Sequence, residues 1–175
     1  TKWAHSKRLT FEIKKTKAIL FHPSSEVRKK WSDKKIHLNE GKDSPLPHYD
    51  HAKLLGITFS ANCTFQQHMG EVLKKANARV SHLYRITGKI PPNVLHRVYK
   101  VAIEPIVLYR SEVLYENYTV IEQKKLLNLN WNAIKIAYNL PKQTLAWKCH
   151  KLAGANILER WEKRHQNFVR SNAHD

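Results

Sequence analysis

Acidic residues are scarce in this chain of 175 residues, and aspartate is the scarcest of them. The chain has four aspartates, Asp33, Asp43, Asp50 and Asp175, and no two of them are adjacent. Polymerases and many nucleases hold their metal ions between clustered carboxylates. The sequence therefore argues against a complete two-metal centre within these residues.

Cysteine and glycine are also scarce. Two cysteines, Cys63 and Cys149, argue against a disulfide framework and indicate reduced thiols inside a cell, in the nucleus or the cytoplasm. Eleven histidines occur without the second nearby cysteine that a zinc site would require, so we expect them to be polar surface residues. Five glycines argue against a flexible linker, and no phosphate-binding loop or nucleophile elbow is present in the sequence.

Long apolar runs are missing as well. No stretch of 18 or more apolar residues exists, so the sequence predicts no membrane partner. The chain opens on Thr1, Lys2 and Trp3, not on Met, and shows no pattern of a secretory signal. We expect a piece of a longer protein that is not secreted.

Positive charge is what the chain has in excess: 31 Lys and Arg residues against 14 Asp and Glu, a formal net charge of +17. Residues 1–53 hold 13 basic and six acidic residues, and residues 54–175 hold 18 and eight. Such a charge attracts phosphate polymers or anionic membrane surfaces. Its even spread favours nucleic acid, and a membrane-surface protein remains the alternative.

The hydrophobic periodicity changes near residue 62. Before it, β-type residues predict strands over 16–21 and 53–59, and Gly56 in the second would allow another backbone to approach closely. Residues 24–34 between them predict a loop or a short helix. After it the period is helical. The fold class predicted is α+β, with short strands or a hairpin in 1–62 and a helical bundle in 63–175.

Four helices or more are expected in the second part. The first would bury Met69, Val72, Leu73, Ala76, Val80, Leu83 and Tyr84. Pro92 would open the second and Pro105 would end or kink it, with an inward stripe of Val94, Leu95, Val98, Val101 and Ala102. Thr119 and Glu122 have the spacing of a capping box for the third, which would bury Leu127, Trp131, Ile134 and Tyr138. A short helix over 144–152 and a last helix capped by Asn156 would follow, the latter burying Ile157, Trp161, Phe168 and Val169.

Residues 74–110 are the best candidates for binding. They carry eight Lys and Arg residues on one predicted helix pair. We expect phosphate contacts from Lys74, Lys75, Arg79, Arg85, Lys89, Arg97 and Lys100, although such a run also suits an ordinary solvated face. The candidates for stacking on bases, each of which could instead belong to the core, are Trp3, Trp31, Tyr84, Tyr99, Tyr109, Tyr115 and Tyr118.

An ordered set of motifs across residues 9–116 resembles the reverse transcriptases of non-LTR (LINE-like) retrotransposons. Residues 9–21, with Lys15 before a Thr, are similar to the segment that follows the catalytic turn in that family. Residues 53–59 and His68 are similar to the family's Lys-Tyr-Leu-Gly-Val strand and the His that opens a helix. Residues 105–113 resemble Pro-x-x-x-Tyr-Gly-x-Glu. The chain departs from the family at Leu54, Arg110 and Leu114, where Tyr, Gly and Trp are usual.

The resemblance implies that residues 1–62 end the palm of an RNA-directed DNA polymerase and that residues 63–175 form its thumb and the connecting helices that follow. The Asp-Asp turn that binds Mg²⁺ would precede Thr1, so this chain alone would bind no cofactor and would be inactive. Leu55 and Gly56 would grip the primer. Lys15 would match a general acid for the departing pyrophosphate, with an ordinary surface lysine as the alternative.

The partners implied are an RNA template paired with a DNA primer, and the rest of the same polyprotein. A second hypothesis is a non-enzymatic RNA- or DNA-binding helical module domesticated from such an element. Both hypotheses require binding to nucleic acid, but only the first requires a polymerase centre.

Overall fold

The computed structural model describes residues 6–9, 12, 15–37 and 45–172. It divides the chain into two compact units, Thr1–Gln67 and His68–Asp175. The fold is α+β, as predicted, because a two-stranded antiparallel hairpin precedes a helical region. The division between the units falls slightly after the change in hydrophobic periodicity.

The hairpin of the first unit consists of β1, His51–Leu54, and β2, Ile57–Ser60, with Leu54 opposite Ile57. Leu55 and Gly56 form its two-residue turn, and their φ angles are +48° and +85°. Two positive φ angles define the hairpin turn whose twist matches that of the strands. The prediction of one strand over 53–59 is therefore wrong, and Gly56 serves a turn instead of a close approach within a strand.

The segment before the hairpin is less regular than predicted. The predicted strand over 16–21 is wrong: Ala18 forms an isolated bridge with His48, and the N–H of Tyr49 donates to the carbonyl of Ala18 at 2.9 Å. β-type residues become a strand only where a partner strand pairs with them along its length. A short helix, α1, covers Ser25–Ser32, within the segment predicted as a loop or short helix.

The second unit opens with most of α2, Gln66–Ile86, which buries Met69, Ala76, Val80 and Leu83 at helical spacing. The prediction that Tyr84 belongs to this buried face is wrong, because the residue is 69% exposed. Gly88, at a φ of +81°, follows the end of the helix, where a left-handed residue is common.

The next helix contains a π-helical segment. It runs as α3, Pro92–Val98, the π segment Tyr99–Ile103 and α4, Glu104–Leu108. The prediction for Pro105 is wrong in part, because the residue lies in the first turn of α4, where its missing N–H is tolerated, and does not end the helix. The wider π turn moves the buried face to a spacing of four residues. That face consists of Leu95, Tyr99, Ile103 and Val107.

Of the predicted inward stripe of this helix, Leu95 is buried as predicted, but the other four residues are exposed. Val94, Val98 and Val101 are 43%, 37% and 73% exposed. The π segment adds a residue to the turn, and the polar residues His96 and Tyr99 occupy buried positions that a purely apolar pattern cannot anticipate.

The remaining helices are α5, Ser111–Leu114, a 3₁₀ turn, Tyr115–Asn117, α6, Val120–Ala137, α7, Ala146–Ala153, and α8, Ile157–Asn172. The prediction that Thr119 and Glu122 form a capping box on α6 is confirmed. Asn156 caps α8 as predicted, since its Oδ1 accepts from the N–H groups of Leu158 and Glu159.

The core of this unit lies where α8 packs against α5 and α6, and where α6 packs against the π segment and α7. Of the residues predicted to be buried on α6, Ile134 is buried and Leu127, Trp131 and Tyr138 are half-buried. Trp161 is buried as predicted, but Phe168 and Val169 are 43% and 49% exposed. The second half of α8 extends beyond the residues that it buries.

Candidate nucleic-acid interface

Four of the predicted phosphate-binding residues, Lys74, Lys75, Arg79 and Arg85, are exposed on α2. The helix turns its apolar side inward and leaves the other side to charged residues. Lys75 and Arg79 lie one turn apart, and residues at that spacing are neighbours on a helix surface. The long helix therefore exposes four cations outside its buried face.

The other three, Lys89, Arg97 and Lys100, follow in the turn after α2, on α3 and on the π segment, and all are exposed. Arg97 and Lys100 are three residues apart and share one side of their helix. Burial lowers the pKa of the neighbouring His96, and the positive charge of Lys100 lowers it further. The uncharged form of His96 is thus favoured beside these cations.

None of these seven cations forms an ion pair with another residue of the described part of the chain. A lysine or arginine without a carboxylate partner keeps its full charge available to an external anion. We refer to Lys74, Lys75, Arg79, Arg85, Lys89, Arg97 and Lys100 as the cationic surface.

The acids of the second unit have partners inside the protein. Glu104 is 5% exposed and pairs with Arg160 of α8. A carboxylate of Glu122 accepts from the backbone N–H of Thr119 at 2.8 Å, within the capping box. The other pairs join Glu112 to Arg164 at 3.7 Å, Glu116 to His165 at 3.1 Å and Glu159 to His150 at 3.1 Å.

These contacts separate the charges of the second unit. Most of the acids are used to join α4, α5 and α7 to α8 or to cap a helix, whereas the cationic surface faces solvent. Glu112 and Glu116 have partners on α8. Sequence reasoning cannot find these pairs, because their members are about fifty positions apart.

The predicted primer-grip residues belong to the first unit. Leu55 and Gly56 form the tip of the hairpin, and Leu55 is 73% exposed. Lys15, the predicted general acid, forms an ion pair with Glu12 at 2.6 Å between Nζ and Oε2, and its side chain is 81% exposed. The structure thus places Lys15 on the surface with a carboxylate partner, the arrangement of an ordinary surface lysine.

The predicted stacking aromatics have different environments. Tyr99 and Tyr118 are 1% and 7% exposed, so they belong to the core, the alternative that the sequence leaves open for them. Tyr84 and Tyr109 remain exposed, as does Trp31, whose ring is covered by Nζ of Lys34 at 3.6 Å. Tyr115 is half-buried and stacks on His165 at 5.2 Å between ring centroids. Trp3 lies outside the described residues.

A groove that the sequence does not predict lies between α2 and the end of α6. Tyr84 and Arg85 line it on one side, and Lys135 and Lys142 line it on the other. The polar residues Asn132, Lys135 and Asn139 repeat at helical spacing and form the only sequence signal for the second side.

Metal binding finds no support in the described residues. No group of three or more His, Cys, Asp or Glu side chains there could hold a metal ion.

In the described ranges, no helix combines the length and the apolar character needed to cross a bilayer.

Comparison with known proteins returned no match: no family model, no curated protein and no solved structure is similar to this chain.

Proposed function

We propose that the chain is the end of the palm and the thumb of a non-LTR retrotransposon reverse transcriptase, and that its helical unit holds the template–primer duplex through the phosphates. The parent reaction would be RNA-directed DNA synthesis. Its Mg²⁺ would be held by an Asp-Asp turn before Thr1, so the chain by itself would bind the duplex without extending it.

The separation of charge in the second unit is the observation that carries this proposal. The cationic surface has no ion-pair partner within the described residues, while five glutamates have partners inside the unit. Carboxylates that are already paired inside the unit neutralise less of the cationic surface, which retains the release of counterions that drives binding to nucleic acids. Exposed helix-face cations also suit phosphate contacts, which position a protein on a duplex without reading its sequence.

The first unit would contribute the hairpin tip. Leu55 and Gly56 would contact the primer end, because a two-residue turn is narrow and its glycine has no side chain to keep a strand away. For Lys15 the general-acid role would require release from Glu12, to which it is paired at 2.6 Å. This step carries less of the proposal than the cationic surface does.

The test measures binding of the chain to a fluorescent RNA–DNA hybrid of about 20 base pairs. Fluorescence anisotropy gives the binding constant at salt concentrations between about 50 and 200 mM. The logarithm of the binding constant should fall linearly with the logarithm of salt concentration. The Lys75→Ala/Arg79→Ala variant should weaken binding to hybrids of any sequence and reduce the slope by about two.

The matched control is Lys163→Ala, which removes a charge from an exposed position on α8, a helix that carries none of the cationic surface. It should leave the slope of the parent chain unchanged, whereas the loss of one phosphate contact would lower the slope by about one. Equal effects of the two variants per charge removed would show that only net charge matters, and the proposed interface would then be wrong.

A second assay separates the polymerase fragment from the non-enzymatic module. The open frame before Thr1 should encode an Asp-Asp turn, and a chain extended to include it should incorporate deoxynucleotides with Mg²⁺ when the present chain does not. An in-frame start directly before Thr1 would favour the module instead.

A further inference from the structure

The groove between α2 and α6 has a volume of about 810 Å³, within the range of about 300–1,000 Å³ that small-molecule sites occupy. The hydroxyl of Thr87, just after α2, lies 3.3 Å from the carbonyl oxygen of Ile136 on α6, which joins the two walls.

The lining residues combine an apolar part with polar walls. Three apolar residues line the groove: Val80 is buried, and Ile136 and Leu140 are half-buried. The amides of Asn77, Asn132 and Asn139 add donors and acceptors. A sugar-phosphate backbone gains little from contact with apolar side chains. The face of an unpaired nucleobase packs well against them.

The charge of the groove is positive. Arg85, Lys135 and Lys142 line it, and no Asp or Glu is found among its described lining residues. Nζ of Lys135 donates to the carbonyl of Lys142 at 2.8 Å, which fixes one cation at the wall and leaves its remaining N–H donors available. This positive charge favours an anionic ligand over an apolar peptide that has no acidic residues.

Tyr84 supplies a flat surface at the groove. It occupies an apolar position in the helical pattern of α2 but is 69% exposed, and its ring stacks on no other ring within the described residues. An exposed aromatic ring beside basic residues is the combination that binds single-stranded nucleic acid, because every base offers a π-face for stacking.

We propose that this groove binds unpaired nucleotides that flank the duplex, with one base stacked on Tyr84 and the adjoining phosphates paired with Arg85 and Lys142. This inference rests on the proposed function for the identity of the nucleic acid. It adds a site for single-stranded nucleotides beside the site for the duplex. Arg85 belongs both to the groove and to the cationic surface.

The test compares two fluorescent RNA–DNA hybrids, one blunt and one with about four unpaired nucleotides at one end, each binding to the whole chain. The parent chain should bind the hybrid with the overhang more tightly. Tyr84→Ala should lower the ratio of the two affinities about tenfold, the size of effect that loss of one stacked base produces. A 2-aminopurine placed in the overhang should be quenched on binding the parent chain and should stay bright with Tyr84→Ala.

Tyr49→Ala is the matched control, because Tyr49 is also an exposed tyrosine but belongs to the first unit. It should keep both the affinity ratio and the quenching. Circular dichroism should show the helix content of the parent in both variants, since each ring is largely outside the core.

The outcomes separate the two proposals. A ratio of about one in the parent chain, or a ratio that Tyr84→Ala does not change, would overturn the groove while duplex binding stands. Binding of the hybrid with the overhang, without binding of the blunt hybrid, would support the groove and remove the duplex-holding function. Failure to bind either probe would overturn both.

Discussion

The hydroxyl of Tyr99 in the π segment donates a 2.7 Å hydrogen bond to Oδ1 of Asn130 on α6, and both residues are 1% exposed. Nδ2 of Asn130 has no hydrogen-bond partner among the described residues. The phenol therefore makes the one hydrogen bond that satisfies this amide in the described part of the chain. Burial raises the pKa of Tyr99, and the negative charge of Glu104 raises it further. The phenol therefore stays protonated and able to donate.

Tyr99→Phe should lower the free energy of unfolding by about 1–3 kcal/mol, because it leaves the buried Asn130 carbonyl without its donor. Urea denaturation followed by circular dichroism measures the change. Adding Asn130→Leu to Tyr99→Phe should recover part of the loss, since an apolar pair needs no hydrogen bond. Tyr49→Phe, on an exposed tyrosine, should leave stability unchanged, and a similar loss there would contradict the assignment.

The capping box at the start of α6 gives a second prediction. Oγ1 of Thr119 accepts from the N–H of Glu122 at 3.4 Å, and the carboxylate of Glu122 accepts from the N–H of Thr119 at 2.8 Å. Thr119→Ala should lower the free energy of unfolding by about 1 kcal/mol, the usual value of an N-cap side chain. Thr119→Ser keeps the hydroxyl and should retain most of it in the same denaturation assay. Equal losses in the two variants would mean that the methyl group, not the cap, stabilises the helix.

The backbone at Arg110 gives a third prediction. Arg110 has a φ of +57°, in the left-handed region, between α4 and α5. A non-glycine residue in that region is strained by about 1–2 kcal/mol, and glycine avoids the strain at an entropic cost of about 0.5–1 kcal/mol. Arg110→Gly should therefore raise the free energy of unfolding by up to about 1 kcal/mol.

Arg110→Ala is the control for that substitution. It removes the guanidinium, which lies 5.5 Å from the ring of Tyr109, but keeps the β-carbon and hence the strain. In thermal unfolding, Arg110→Gly should have a higher midpoint temperature than Arg110→Ala. The reverse order would show that the left-handed conformation is not the source of the difference.

Local signals in the sequence predict the parts of the fold that depend on a few neighbouring residues. Pro92 opens α3, Thr119 and Asn156 cap their helices, and the α+β division is confirmed. Each of these rests on backbone groups within one turn of the residue concerned. The exposure of the four cations on α2 is predictable for the same reason, since it follows from the period of one helix.

Features that depend on distant residues are not predictable in this way. The π segment shifts the buried face to Tyr99 and Ile103, and only the partner Asn130, thirty-one positions away, makes a buried phenol favourable. The 16–21 segment has β-type residues, but its described partner is a single bridge to His48. The groove joins residues of α2 to residues of α6, and no pattern within either helix indicates that they meet.

His165 of α8 gives the last prediction, because its two ring nitrogens face acceptors on α5 and the 3₁₀ turn. Nδ1 lies 2.7 Å from the carbonyl oxygen of Glu112, and Nε2 lies 3.1 Å from Oε1 of Glu116. Neither oxygen can donate, so both nitrogens must carry protons for both bonds to form. The hydrogen bond to the Glu112 carbonyl, with that to Glu116, raises the pKa of His165 above its ordinary value of 6.5, against a smaller opposing effect of desolvation.

A raised pKa in the folded state means that the folded protein binds the proton more tightly than the unfolded chain does. The stabilisation from His165 is then complete below the unfolded pKa of 6.5 and is lost as the pH rises through the higher folded value. The parent chain should have a higher urea midpoint than His165→Gln. The difference between the two midpoints should be larger at about pH 5.5 than at about pH 8.5. His96, whose pKa is lowered, gives the opposite pH dependence, but it is present in both proteins and cancels in their difference.

Glu116→Gln separates the two bonds of His165. It removes the carboxylate charge but keeps an acceptor, so the pH dependence assigned to His165 should become weaker without disappearing, because the Glu112 carbonyl remains. Arg164, 3.7 Å from the carboxylate of Glu112, is unchanged by either substitution and continues to join α5 to α8. A difference between parent and His165→Gln that is constant across the pH range would show that the ring acts by packing on Tyr115 alone, and the charged hydrogen bonds would then contribute nothing.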